Sequence, residues 1–157
     1  MKIYYLLLIG MFFSLNALAC EQDDMEIISC SLVGETPRNV SFCLNKKSQE
    51  INYYFKRAGK TELNVLFNSK RKLERLTDKA MGVTYLGFSQ GQYGYMLSII
   101  NGTESEEYSM SFDIKKGNKT IQTTECSSNS YRSNNIISKY IDDIPYNPLK
   151  NEEFIFP

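Results

Sequence analysis

Short strand-like segments, separated at regular intervals by turn-forming residues, dominate this chain. Most alternate apolar with polar side chains and are rich in β-branched and aromatic residues, as in strands buried on one face. Turns separate them, for example at Ala58-Gly59-Lys60, Gln90-Gly91-Gln92 and Gly117-Asn118. The segments are 26–33, 39–45, 50–57, 62–67, 83–89, 93–100, 107–115 and 119–125. This pattern predicts an all-β fold, a small antiparallel sandwich or barrel of about eight strands.

Three segments depart from the strand pattern. Within 69–80, two leucines and an alanine recur at helical spacing, which predicts a short helix or an excursion loop. Apolar residues recur in the same way over 136–144, so we expect one short C-terminal helix packed on the sheet. The segment 146–157 ends in Phe-Ile-Phe-Pro and is either a frayed tail or a strand or hook docked on the domain.

The first residues have the organisation of a secretory leader. Lys2 precedes an apolar core, and the sequence Ala-Leu-Ala stands immediately before Cys20. This arrangement predicts a signal peptide over 1–19, cleaved to leave a single β-domain over 20–145 in the periplasm or secreted medium. The alternative is an outer-membrane lipoprotein with a lipid on Cys20. That alternative fits less well, because Ala17 stands where a lipoprotein signal has a branched apolar residue.

Four cysteines remain after cleavage, namely Cys20, Cys30, Cys43 and Cys126. An even number in an exported domain predicts two disulfides. If the first two strands pair so that partner numbers sum to 73, Cys30 lies opposite Cys43, and Cys20 is left to reach Cys126. Pairing Cys20 with Cys30 and Cys43 with Cys126 stays open, as does pairing Cys20 with Cys43 and Cys30 with Cys126.

The composition excludes several classes of function. The chain has no histidine, so it has no Ser-His-Asp or Cys-His catalytic arrangement and lacks the most common metal ligand. The cysteines form no C-x-x-C pair, and we expect neither a metal nor another cofactor. The formal net charge of zero gives no electrostatic basis for binding nucleic acid. The acidic loop Glu104, Glu106 and Glu107 is expected to be solvated charge rather than a catalytic pair.

Two groups of side chains are candidates for partner binding. One is a dense basic cluster, and the other is a set of tyrosines, a residue type common at interfaces. We expect Tyr85 to share one surface with Tyr93 and Tyr95 while Phe88 enters the core. The alternative for the basic cluster is a solvated surface, and the alternative for the tyrosines is ordinary packing within the sheet. The candidate residues are Lys70, Arg71, Lys72, Arg75, Tyr85, Tyr93 and Tyr95.

Several motifs together resemble those of a group of small proteobacterial envelope proteins. They are ISCSLVGETPRNVSFCLN over 28–45, INYYFKRAGKTELNV over 51–65, the glycine- and tyrosine-rich GFSQGQYGYMLSII over 87–100, and the late Cys126. The turn at 59–63 matches the family except at Thr61, where proline is usual. The resemblance covers most of 20–126, implies an all-β fold and brings no catalytic residues.

These observations favour an exported binding protein without catalytic activity. The general layout resembles that of periplasmic lysozyme inhibitors, so we expect an inhibitor or immunity-type partner of an envelope-active toxin or lysozyme. Its partner would be another envelope or toxin protein. The alternative is a structural or housekeeping lipoprotein anchored through Cys20.

Overall fold

The computed structural model describes residues 20–21, 23–104, 107–146, 149–150, 153–154 and 156–157. The predicted signal peptide (1–19) and Glu106 lie outside these residues. Within the described part of the chain, no helix is long and apolar enough to span a membrane.

The all-β prediction is confirmed, with two packed sheets in which most neighbouring strands follow each other along the chain. The first sheet has the order β10-β1-β2-β3-β4, and the second has the order β11-β5-β6-β7-β8-β9. A separate two-stranded sheet near the C-terminus pairs β12 with β13. The strands are β1 (Asp24–Leu32), β2 (Arg38–Asn45), β3 (Ile51–Arg57), β4 (Lys60–Phe67), β5 (Leu73–Asp78), β6 (Val83–Gln90), β7 (Tyr93–Asn101), β8 (Tyr108–Lys116), β9 (Lys119–Glu125), β10 (Tyr131–Arg132), β11 (Ile141–Ile144), β12 (Leu149–Lys150) and β13 (Glu153–Phe154).

Tight turns connect the hairpins at the places that the sequence predicts. Ala58 and Gly59 both have positive φ, 46° and 77°, as a two-residue type I′ turn requires. Gly91 and Gly117 supply the positive φ of the turns between β6 and β7 and between β8 and β9.

The core lies between the two sheets and receives every second side chain of their strands. Its centre is aromatic: the Tyr53 ring meets Phe42 at 5.1 Å and Phe88 at 4.7 Å in edge-to-face contacts. Fully buried members of this core include Ile28, Val40, Ile51, Tyr53, Phe67, Leu73, Leu86, Leu97 and Phe112.

The helix predicted near the C-terminus is wrong, and so is the strand count of eight. Segment 69–80 contains β5, and segment 136–144 contains β11, which adds to the edge of β5 in parallel. Leu73 enters the main core, whereas Leu76 packs in a small cluster on the outer face of the second sheet. Because this sheet is covered on both faces, apolar residues three apart fit a strand as well as a helix.

The predicted register between the first two strands is also wrong. Cys30 lies opposite Val40, because a five-residue connection over 33–37 joins the strands. The predicted register would put Thr36 and Pro37 at the centre of a two-residue turn. Such a turn needs positive φ at one of them, a conformation that proline cannot adopt and threonine strongly disfavours.

All four cysteines form disulfides, but the favoured pairing is not the one present. Cys20 bonds to Cys43, and Cys30 bonds to Cys126, with Cα–Cα distances of 5.6 Å and 5.1 Å. Cys30 lies in the main core. Cys43 alternates with the core residues Phe42 and Leu44 and therefore faces outward, so Cys30 and Cys43 lie on opposite faces. Two disulfides indicate an oxidising compartment.

After β9 the chain crosses from the second sheet to the first. The amide of Val33 donates to the Glu125 carbonyl at 3.0 Å, and the amide of Ser127 donates to the Ser31 carbonyl at 2.8 Å. The Cys30–Cys126 disulfide fixes this crossing, and β10 then pairs with β1. The crossing joins the two sheets along one side and sets the position of Arg132.

Candidate partner-binding cleft

The expected surface of three tyrosines does not form. The turn between β6 and β7 pairs Gln90 with Tyr93 and Phe88 with Tyr95, so each pair combines an even with an odd number. Odd-numbered residues of the two strands therefore face opposite sides of the sheet. Tyr85 lies on the outer face, whereas Tyr95 lies on the core side and stacks on Phe88 with ring centroids 5.1 Å apart. Tyr93 lies on the same side of β7 as Tyr95, at the start of the strand, and is half-buried.

The predicted basic cluster is divided between different environments. Arg71 is half-buried, and its guanidinium lies 5.7 Å from the ring centroid of Phe67 and 5.4 Å from that of Phe88. It also donates to the Gln90 side chain and to the Ser89 carbonyl, each at 2.6 Å. Arg71 therefore closes one end of the aromatic core and contributes to the packing there.

The two lysines of the cluster are exposed. Lys70 lies in the turn before β5, and Lys72 forms a long ion pair with Asp142, 3.7 Å between Nζ and Oδ1. Exposed pairs of this kind contribute little to stability. Arg75, the fourth cationic residue of the cluster, lines two cavities.

Arg75 and Asp143 are register partners on the parallel strands β5 and β11. The guanidinium donates two hydrogen bonds to the carboxylate, from Nε at 2.6 Å and from Nη2 at 2.9 Å. Its Nη1 donates a third to the Ile136 carbonyl at 2.8 Å. The hydrogen bonds to Arg75 lower the pKa of Asp143 below its ordinary value, so this carboxyl is ionised at neutral pH.

Two adjoining cavities flank this ion pair, and we call them together the Arg75 cleft. Their volumes are about 510 and 210 Å³. Both are lined by Arg75, Thr77 and Asp143. The larger cavity is also lined by Asp78, Lys79, Ala80, Ile144 and Tyr146. The smaller one is also lined by Thr84, Ile99, Arg132, Ser133, Asn134 and Ile136.

Asp78 fixes the wall of the larger cavity. Its Oδ1 accepts hydrogen bonds from the amides of Ala80 and Met81, at 2.9 and 3.0 Å. Its Oδ2 accepts from the Tyr146 hydroxyl at 2.5 Å. The bond from Tyr146, followed by those from the amides, lowers the pKa of Asp78. This buried carboxylate holds the β5–β6 loop and the residue after Pro145 in one arrangement.

Arg132 lines the smaller cavity and is the functional candidate that sequence reasoning missed. Its Nη1 donates to the Asn101 side chain at 3.1 Å, and its guanidinium lies 4.7 Å from the centroid of the Tyr108 ring. Its Nε is buried and has no hydrogen-bond partner among the described residues. It also forms no ion pair with a described carboxylate, unlike Arg75. The smaller cavity therefore carries an uncompensated positive charge.

Several large apolar side chains are exposed on segments next to residues that line the Arg75 cleft. The amide of Asn101 donates to the Gly82 carbonyl at 3.0 Å, and the Asn101 side chain accepts from Arg132, so the start of β6 and the ends of β7 and β10 lie together. Ile137 is 68% exposed and follows the residue whose carbonyl binds Arg75. Large exposed hydrophobic side chains grouped around a cleft mark an interaction site. The rim residues are Met81, Ile100, Tyr131, Ile137 and Tyr146.

The chemistry of the cleft favours binding over proton transfer. A carboxyl that acts as a general acid at neutral pH needs a raised pKa, and both Asp78 and Asp143 have lowered values. Among the described residues, no group of three or more potential metal ligands comes together. Glu104 and Glu107 lie at the tip of the β7–β8 connection, away from the lining of both cavities.

No family model, curated protein or solved structure matches this chain. The case for a function therefore rests on the residues of the Arg75 cleft and on the cysteine pairing.

Proposed function

We propose that this protein is an exported binding domain without catalytic activity, and that a protein partner docks over the Arg75 cleft. The partner we propose is an envelope-active toxin or lysozyme, for which this chain acts as an inhibitor or immunity-type protein. The observation that carries the proposal is the position of Arg132, an arginine without a carboxylate partner, inside a rim of exposed apolar and tyrosine side chains.

The composition of this surface matches that of binding hot spots. Arginine and tyrosine are enriched among residues that dominate binding energy, especially where surrounding contacts exclude water. Asn101 and the Tyr108 ring hold the Arg132 side chain, so little side-chain entropy is lost when a partner binds. The Arg75–Asp143 pair is likewise already formed in the free protein.

The chemistry of the smaller cavity points to a carboxylate on the partner. A cavity of 210 Å³ that holds the Arg132 guanidinium without an ion-pair partner fits an Asp or Glu side chain, since the carboxylate in its lining, Asp143, is already paired with Arg75. Glycoside hydrolases depend on a pair of carboxylates flanking the scissile bond. An arginine presented to such a carboxylate would block substrate, which supports an inhibitor of this class of enzyme.

The disulfide at Cys20 weighs against the lipoprotein alternative. Lipid attachment uses the cysteine sulfur as a thioether, and the same atom is bonded to Cys43. We therefore expect a Cys20→Ser variant to stay in the soluble envelope fraction, as the wild type does. Membrane association of the wild type that disappears in Cys20→Ser would instead support the lipid anchor.

Site-specific crosslinking tests the binding proposal. A photoreactive residue at Tyr131 should capture an envelope protein, and Arg132→Ala should reduce that capture at least about tenfold, since a buried charged contact is worth 1.4 kcal/mol or more. Arg57→Ala is the matched control, because Arg57 is an exposed arginine at the β3–β4 turn with its own ion pair to Glu62.

The same variants test the inhibitor assignment. The wild type and Arg57→Ala should slow the clearing of a peptidoglycan suspension by the captured enzyme, and Arg132→Ala should not. Capture that is insensitive to Arg132→Ala, or equally weakened by Arg57→Ala, would remove the Arg75 cleft as the binding surface.

A further inference from the structure

The end of the chain occupies a slot on the outer face of the second sheet. Phe156 is only 4% exposed and packs in a small cluster with Leu76 and Met96. The Tyr85 ring lies beside it, with ring centroids 6.3 Å apart. This cluster is separate from the main core, because the sheet itself lies between them.

Two strand glycines make room for the terminal residues. A Cβ on Gly87 would lie 2.9 Å from the Phe156 ring and 2.9 Å from the Pro157 ring, closer than side chains tolerate. A Cβ on Gly94 would lie 3.4 Å from the Pro157 carbonyl oxygen. Glycine weakens a strand interior and often marks close approach of another backbone or a ligand. The two glycines therefore form the floor of the slot.

A buried lysine lies next to this floor. Lys115 is the register partner of Gly94 on the neighbouring strand, and its side chain is only 4% exposed. Its Nζ donates a hydrogen bond to the main-chain carbonyl of Phe156. Burial lowers the pKa of Lys115, while the nearby Asp113 acts in the opposite direction. The slot therefore binds its occupant in two ways, through the apolar contacts of the ring and through this hydrogen bond to the main chain.

From these contacts we infer that the slot formed by Gly87, Gly94 and Lys115 is a binding site for an extended peptide that carries an aromatic residue followed by proline. Its resident occupant is the chain's own Phe156-Pro157, which is exchangeable with a separate peptide of the same chemistry. The slot lies on the outer face of the second sheet and adjoins the larger cavity of the Arg75 cleft at Ile144, so its test uses a peptide assay that does not involve Arg132.

Tethering determines how strongly a free peptide competes. The Tyr146–Asp78 hydrogen bond fixes the chain close to the same sheet, ten residues before Phe156. A short tether of this kind gives an effective concentration on the order of millimolar. The intact terminus should therefore exclude a micromolar peptide, and weakening the terminus should admit it.

The test uses a fluorescently labelled peptide with the sequence of 151–157, NEEFIFP, and the full chain. The Phe156→Ala variant should bind this peptide at least about tenfold more tightly than the wild type does, because its own terminus competes less well. Adding Gly87→Val to Phe156→Ala should abolish binding. Adding Ser109→Val, an exposed position on the same face but far along β8, is the matched control and should leave binding intact.

A peptide with alanine in place of Phe156 should bind none of the proteins. Absence of peptide binding to a Phe156→Ala chain with native circular dichroism would overturn the inference, as would binding that survives Gly87→Val. If Phe156→Ala does not fold, Phe156→Leu keeps an apolar side chain on the terminus and decides the question in the same assay.

Discussion

The two ends of the described chain each cover the outer face of one sheet, and they do so by different means. At the N-terminal end, Cys20 is bonded to Cys43 on β2, and Asp24 accepts hydrogen bonds from Asn45 and Asn52 at 3.0 and 3.1 Å. At the C-terminal end, Phe156 is held by apolar packing and by one hydrogen bond from a lysine. The first cover is covalent and permanent, whereas the second is an equilibrium that a ligand is able to shift.

The largest expected effects concern the disulfides. The Cys30–Cys126 disulfide closes a separation of 96 residues, and its loss in Cys30→Ala/Cys126→Ala should lower the free energy of unfolding by about 4.7 kcal/mol. The Cys20–Cys43 disulfide of the N-terminal cover joins residues 23 apart. Its loss in Cys20→Ala/Cys43→Ala should lower the free energy of unfolding by about 3.4 kcal/mol. Urea denaturation measures both. A loss well below 1 kcal/mol for the second pair would show that the N-terminal cover is not held covalently.

The C-terminal cover should contribute less than either disulfide. Phe156→Ala removes a buried aromatic side chain from a small cluster, so the free energy of unfolding should fall by about 2 kcal/mol. Hydrogen exchange should accelerate at amides of β6 and β7 near Gly87 and Gly94 while the first sheet stays protected. Acceleration spread equally over both sheets would mean that the terminus opens only with global unfolding.

The polar contacts of the N-terminal cover should have a smaller effect. Asp24→Ala removes two hydrogen bonds from amide side chains, and we expect a loss of about 1 kcal/mol, since each is partly exposed. With the disulfide intact, hydrogen exchange near Asn45 and Asn52 should change little. Opening of this face in Asp24→Ala would make the N-terminal cover as exchangeable as the C-terminal one.

The smallest expected effects are changes with pH, and they have opposite signs under the two covers. Asp78, bonded to Tyr146 before the C-terminal cover, has a lowered pKa, so its stabilisation is present above its ordinary pKa of about 4 and is lost as pH falls through the folded value. Glu26, opposite Cys43, has a pKa raised by burial. Its charged form therefore lowers the stability of the fold at neutral pH, and this destabilisation disappears when acid protonates the carboxyl group.

Matched amide variants measure this difference. At pH 7, Asp78→Asn should lower and Glu26→Gln should raise the free energy of unfolding, and both differences should shrink as acid protonates the two carboxyl groups. Thermal unfolding at several pH values gives the comparison. Two variants that respond to acid in the same direction would contradict the opposite environments of these carboxyl groups.

Much of the fold could be predicted because its hairpins are local. Alternation and turn residues locate β1 to β4 and β6 to β9 to within a few residues. β5 and β11 could not be predicted in this way, since both faces of their sheet are covered and their apolar residues do not alternate. The disulfide pairing depends on the register between β1 and β2. Pro37 excludes the two-residue turn, so the connection is five residues long and the register differs from the predicted one.

The candidate site was less accessible to sequence reasoning than the fold. Local charge density identifies Arg75 as part of a basic cluster, and Arg75 lines the cleft, while its contact with a partner stays a prediction. Arg132 stands in a polar stretch without a motif, and its position follows from the crossing fixed by the Cys30–Cys126 disulfide. Such a long-range contact leaves no periodic signal in the sequence.

The strand β11 has a consequence for solubility. Without it, β5 would present an open row of main-chain donors and acceptors to other molecules, which is the usual route to edge-to-edge aggregation. Four residues of β11 satisfy that row, and the outermost strand then displays Asp142 and Asp143. Pro145, which has no amide hydrogen, follows directly and prevents the pairing from extending. At this edge the second sheet therefore ends in a short strand whose two carboxylates are paired with Lys72 and Arg75, and a short edge strand discourages edge-to-edge association.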